Sequence, residues 1–161
     1  MSTGAAILPR GYTGDEPYDT ARNAELIGQM PAPVDAFYAG FLSGDTAGVL
    51  AALDPAAAVH FPSYDPLLGI GAIADYFAFQ SAAFGAIDFQ LVQVFTDGAL
   101  TLVLWRERGE LVDGTPWRCH GVDTLVSAPS GITHVEVGGA AWMLRDILPR
   151  YTRFPEIGVG R

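Results

Sequence analysis

The chain reads as an α+β fold. A strongly curved antiparallel sheet wraps around about three N-terminal helices, giving a cone-shaped α+β barrel. Three observations predict this. Apolar residues at i, i+3, i+4, i+7 and i+8 mark the first half of the chain as helical. From Ile87 onward the period becomes the alternation of strands, punctuated by Asp-Gly and Pro-Ser-Gly turns. The strands follow one another without intervening helices, as in an antiparallel meander, and a twisted meander curls. With 161 residues, 50% of them hydrophobic and 17% charged, the chain is most simply one domain with a sizeable core.

Residues 1–33 read as an N-terminal extension, punctuated by Pro9, Gly11, Gly14, Pro17, Pro31 and Pro33. A short helix fits around Thr20–Met30, where Ala21, Leu26 and Ile27 are apolar. The arm either lies over the domain or a partner subunit, or is disordered. The domain itself spans 34–148. Val34, Phe37, Tyr38, Phe41 and Leu42 form the stripe of its first helix, with Pro33 in the first turn and Gly44 at the C-terminal cap. Asp45 caps a second helix that buries Val49, Leu50 and Leu53, and Pro55 limits it. A short strand, Val59-His60-Phe61, stops at Pro62. After the loop 62–69, Ile70, Ile73, Phe77 and Phe84 mark a third helix, widened by Tyr76 and Phe79. Strands follow at Phe89–Phe95, Leu100–Arg108, Trp117–Ser127 and Ile132–Val137, with Trp142-Met143-Leu144 as an extension after a bend. Thr96-Asp97-Gly98 makes a hairpin turn. Residues 149–161 form a basic, aromatic tail packed on the surface.

The formal net charge of −9 opposes general binding to nucleic acid or to anionic membranes. No charge-free apolar run approaches the ~18 residues of a membrane span. The start lacks the pattern of a secretion signal, and a lone Cys119 fits a reducing cytoplasm, so a cytoplasmic protein is expected. His60, His120 and His134 show no ligand spacing, so no metal site is expected.

The strand Trp117–Ser127 carries one acid among apolar and small neighbours. Alternation places Trp117, Cys119, Gly121, Asp123 and Leu125 on one face. A carboxyl on such a face is costly unless it is paired, protonated or working. Asp123 is therefore the first candidate residue; pairing with Arg106, Arg108 or Arg118 is the structural alternative.

Several short motifs then align with a known family. Phe41-Leu42-Ser43-Gly44-Asp45, Val59-His60-Phe61-Pro62, Gly69-Ile70-Gly71-Ala72-Ile73, Gly121-Val122-Asp123 and Gly131-Ile132-Thr133-His134-Val135-Glu136 occur in its order and spacing. Over about residues 34–145 the chain resembles the nuclear transport factor 2-like superfamily, and within it the ketosteroid isomerases and SnoaL-like polyketide cyclases. The resemblance implies a protonated acid at Asp123 that donates to a substrate oxyanion. It also implies a general base at the position of Phe61, which has no basic group. The family's second oxyanion donor falls at Phe37, with Tyr38 beside it. In the SnoaL-like pattern, Glu136 stands where a histidine is usual and Gly138 where the catalytic aspartate is usual. The resemblance further implies a homodimer through the open sheet face.

A second acid is needed for acid/base chemistry. Glu136, one short turn away from Asp123 in the chain, is the candidate base. Its alternative is a solvent-facing residue on the outer sheet face. Two carboxyls in one apolar cavity separate their pKa values, which suits proton abstraction beside a carbonyl and enolate stabilisation. His60 beside the pocket and Asp65 at its mouth are further candidates. Phe37, Tyr38, Phe61, Tyr64, Phe77, Trp105, Trp117 and Cys119 are the candidate substrate contacts. The expectation is a cofactor-independent isomerase or cyclase for a small hydrophobic carbonyl compound, steroid- or polyketide-like, with dehydratase or epoxide hydrolase activity as variants. The alternative is a noncatalytic module of the same fold that binds small ligands or partners.

Overall fold

The computed structural model describes residues 17–61 and 65–138. The described elements are α1 (Ala21–Leu26), α2 (Ala32–Ser43), α3 (Thr46–Ala51), β1 (Leu53–His60), β2 (Leu67–Leu68), α4 (Gly69–Ala83), β3 (Phe84–Asp97), β4 (Leu100–Leu111), β5 (Pro116–Ala128) and β6 (Gly131–Gly138). The strands form one curved, unclosed sheet in the order β2-β1-β6-β5-β4-β3. All neighbours are antiparallel except β1 and β6. Helices α2 and α4 lie against the concave face, where Val34, Tyr38, Ile73, Leu91, Val103, Leu125 and Val135 are fully enclosed. The α+β cone expected from the periodicity is the fold observed.

The helix boundaries follow the capping signals. Gly44 takes a left-handed φ of 72° at the end of α2, a conformation that favours glycine. One residue later the Asp45 carboxylate accepts from Gly48 N–H at 3.0 Å and starts α3. Gly40 lets the two helices touch, since a Cβ there would stand 2.9 Å from the Val49 nitrogen.

The strands depart from expectation at three places. Phe84, expected in the third helix, begins β3 and packs edge-to-face on Trp117 at 5.1 Å. Its neighbour Gly85 leaves room for the β4 backbone, where the Glu110 carbonyl would lie 3.1 Å from a Cβ. Strand β1 is longer than Val59–Phe61. It begins at Leu53 and runs parallel to β6, with Pro55 inside a register shift between Leu53 and Ala58. Phe61 follows the strand instead of belonging to it.

Residues 17–30 pack on the domain. Strand β3 is a sheet edge, and Asn23 of α1 pairs with it as a neighbouring strand would. Its amide donates to the Phe89 carbonyl at 2.8 Å and accepts from Leu91 N–H at 2.7 Å. Leu26 and Met30 join the core. Pro17 and Tyr18 cross the outer face, where Arg106 donates to the Pro17 carbonyl at 2.6 Å and lies 4.5 Å from the Tyr18 ring centre. The expected extension at Trp142–Leu144 and the tail 149–161 lie outside the described residues. Among the described residues, no helix is long and apolar enough to cross a membrane.

Candidate functional site

Alternation along β4 and β5 assembles the site. Val103, Trp105 and Glu107 face the helices from β4; Cys119, Gly121 and Asp123 face them from β5. The register sets Val103 opposite Asp123, Trp105 opposite Gly121 and Glu107 opposite Cys119. Gly121 is what allows Trp105 to reach Asp123. A Cβ there would collide with the Gly138 carbonyl and stand 2.7 Å from the indole. With that space open, the Trp105 Nε1–H donates to Asp123 Oδ1 at 2.8 Å. From α2, the Tyr38 hydroxyl donates to Asp123 Oδ2 at 2.7 Å.

Asp123 thus has donors on both oxygens and, among the described residues, no arginine partner. Arg106 points to the outer face, where it donates to Gln90 at 2.9 Å, and Arg108 pairs with Asp88 at 3.0 Å. Burial pushes the Asp123 carboxyl up to about 6, while the Tyr38 and Trp105 hydrogen bonds pull it down. An indole N–H can only donate, so this carboxyl is built to accept. The resemblance implies a protonated donor at this position; in the structure both Asp123 oxygens accept hydrogen bonds.

The second acid is Glu107. Burial pushes it up to about 7; the Cys119 hydrogen bond opposes the shift and the neighbouring Asp123 charge adds to it. Cys119 Sγ–H donates to Glu107 Oε1 at 3.0 Å. Burial holds the Cys119 thiol well above its usual range, so it remains a thiol and donor. Burial likewise keeps Tyr38 and Tyr76 protonated.

These groups border a cavity of about 80 Å³ under the helices. Phe37, Phe41, Phe61, Tyr76, Phe77 and Phe89 supply most of its aromatic wall, and Tyr38, Gln80, Trp105, Glu107 and Asp123 its polar groups. Among the described residues, no three His, Cys, Asp or Glu side chains cluster as a cation site.

The structure brings together Asp123, Phe37, Tyr38, Phe61, Phe77 and Trp105 of the residues singled out from sequence. It separates the others. Glu136 is exposed on the outer face opposite Thr124, because the register pairs Asp123 with Val137. His60 also faces outward, paired in register with Glu136 and in tilted ring contact with His134, the ring centres 4.7 Å apart. Asp65 is exposed and does not border the cavity. Trp117 and Cys119 are buried but do not line the cavity; Cys119 donates to Glu107, which does. Tyr64 lies outside the described residues.

Glu107 was missed because it sits between Arg106 and Arg108, in a charged run that reads as a solvated strand end. Its signal was parity: Glu107 is two residues from Trp105, a candidate contact, on the same face. Tyr76 and Gln80, each three or four residues from Ile73 or Phe77, carried the same kind of signal on α4.

Comparison with known proteins agrees with this architecture. The model of the SnoaL-like domain family matches residues 34–133. No curated protein matches the chain. Among solved structures, a nuclear transport factor 2-like protein of unknown function from Burkholderia pseudomallei is 20% identical, with a TM-score of 0.64 over 71% of this chain and 94% of that one. TerC, co-crystallised with polyporic acid, is 18% identical, with a TM-score of 0.63 over 73% and 95%. A putative polyketide cyclase from Sinorhizobium meliloti is 20% identical, with a TM-score of 0.56 over 68% and 96%.

Proposed function

The chain belongs to the SnoaL-like domain family of the nuclear transport factor 2-like superfamily, and from that premise we propose that it is a cofactor-independent isomerase or cyclase. Its substrate is a hydrophobic carbonyl compound of the steroid or polyketide kind. One observation carries the reading: two buried carboxyls border the same apolar cavity, and their surroundings differ. Among the described residues, Asp123 accepts from Tyr38 and Trp105, whereas Glu107 accepts from the Cys119 thiol. Between their pKa values of about 6 and about 7, Asp123 is the carboxylate and Glu107 the acid.

In this reading the Asp123 carboxylate removes a proton from the carbon beside the substrate carbonyl. The electron pair moves to the carbonyl oxygen, and Glu107 protonates or hydrogen-bonds the resulting enolate. Returning the proton to another carbon isomerises a double bond. Attack of the enolate carbon on a second carbonyl closes a ring. Tyr38 and Trp105 hold the base in place, and Cys119 holds the acid through Oε1 of Glu107.

The test needs no knowledge of the natural substrate. Wild-type protein in D2O should accelerate exchange of the α-protons of cyclohexanone, followed by NMR, with a maximum between about pH 6 and 7. Asp123→Asn should slow it by about a hundredfold or more. Exchange equal in the two proteins sinks the reading.

The small cavity favours a second reading, a noncatalytic module that binds a small apolar molecule. Binding without exchange would select it. Either way, we place a homodimer contact on the β1, β5 and β6 half of the outer face, because Tyr18 covers the β3–β4 half. A monodisperse monomer in sedimentation would contradict that.

A further inference from the structure

The inner cavity does not end at its own wall. A groove of about 940 Å³ lies between α1, α2, α3, the end of α4 and the start of β3. Phe41, Phe77, Gln80 and Phe89 line both the groove and the cavity. We propose that the groove is the outer half of the same binding site and holds an uncharged, apolar extension of the ligand whose carbonyl end enters the cavity. This deepens the acid/base reading above and rests on it for the identity of the inner end.

Size is the first argument. An apolar cavity of about 150 Å³ accommodates one benzene ring, and ligand pockets generally run from about 300 to 1,000 Å³. The inner cavity, at about 80 Å³, takes in only the reacting end of a molecule. Anything of steroid or polyketide size must continue past it. Aromatic rings stand where the two meet: Phe41 lies edge-to-face on Phe89 at 4.9 Å, and Phe41 and Phe77 are both partly exposed. Rotamer changes in partly exposed rings are fast, so such a junction can widen around a ligand.

Charge is the second argument. Among the described residues, Asp88 is the one ionisable residue bordering the groove, and its carboxylate is paired with Arg108 at 3.0 Å. Among the described residues, none that borders the groove is a cation, Arg108 beside it is already paired with Asp88, and the net charge of −9 repels an acidic group. The groove wall is otherwise apolar or neutral: Ile27, Leu42 and Ile87 beside Asn23, Ser43 and Thr46. At the junction Gln80 supplies an amide that can bond a ligand oxygen lying between the two halves. The substrate is thus a neutral molecule with a small carbonyl-bearing head and a longer apolar body.

A series of 4-alkylcyclohexanones, from methyl to octyl, reads this directly by calorimetry and by the exchange assay. Affinity should rise about two- to fourfold per methylene over the first several carbons. A terminal carboxylate on the chain should cancel the gain. Thr46→Trp and Ala24→Phe, at two exposed positions on opposite sides of the groove, should each reduce the octyl-to-methyl affinity ratio by about tenfold or more. Affinity independent of chain length, or a ratio unchanged in both filled variants, overturns the proposal. If cyclohexanone itself shows no exchange while affinity still rises with chain length, the acid/base reading fails and the groove assignment stands.

Discussion

The two faces of the sheet carry similar chemistry to opposite effect. On the inner face, Glu107 and Asp123 stand on β4 and β5; on the outer face, His60, His134 and Glu136 stand on β1 and β6. The inner acids are buried, and burial raises both pKa values into the neutral range. Glu136 is exposed, and the two histidines lie half-buried against one another. Residue type therefore says little about which cluster is chemically tuned. Removal from water does, because a charge without solvent must be stabilised by donors or neutralised.

The strongest way to sharpen this contrast, after replacement of Asp123, is Glu107→Gln. Exchange should fall by about a hundredfold, and the high-pH limb of its profile should disappear. Stability should change in step. Glu107 titrates in the folded protein at about 7 instead of the ordinary 4.5, so the folded state holds the proton longer than the unfolded chain does. Wild-type stability from this group therefore falls as pH rises through that window and is flat above it. Denaturant unfolding should show Glu107→Gln equal to wild type near pH 4 and more stable by roughly 3 kcal/mol at pH 8. A difference independent of pH would mean that Glu107 titrates normally and that the inner face is wetter than its burial indicates.

Tyr38→Phe has a smaller effect. It removes one donor from the Asp123 carboxylate, so the carboxyl should titrate still higher and the low-pH limb should move toward neutrality. Unfolding measured at pH 8 should show a loss of about 1–3 kcal/mol, since a buried charge loses a hydrogen bond. An unmoved limb would mean that Tyr38 positions the helix and not the acid. The smallest effect is expected outside: Glu136→Gln should leave exchange within about twofold and stability within about 0.5 kcal/mol of wild type. A large loss of exchange there would break the distinction between the faces.

Much of the site was legible. The stripe on α2 named Phe37 and Tyr38, and the parity of β5 put Asp123 inside. The misplacement of Glu136 has a specific cause. A regular hairpin closing at Ala128 and Gly131 would set Asp123 opposite Glu136. The observed pairing does begin that way, with Ala128 opposite Gly131 and Ser127 opposite Ile132. A register shift between Val126 and Ser127 then leaves Thr133 unpaired and sets Val126 opposite His134. From there Asp123 meets Val137, and Glu136 turns outward. One extra residue reverses every side chain beyond it.

The amino-acid sequence by itself determined the kinds and order of the elements, the caps at Gly44 and Asp45, and the burial of Asp123. These depend on local periodicity and backbone preference, which neighbouring residues encode. Tertiary structure decided the partner acid. The bulge at Thr133 removed Glu136, and the close approach of Trp105 over Gly121 placed a donor on Asp123. Glu107 became the second carboxyl because the helices cover β4 at that point. Register and coverage depend on residues far apart in the chain, and only the assembled sheet brings them together.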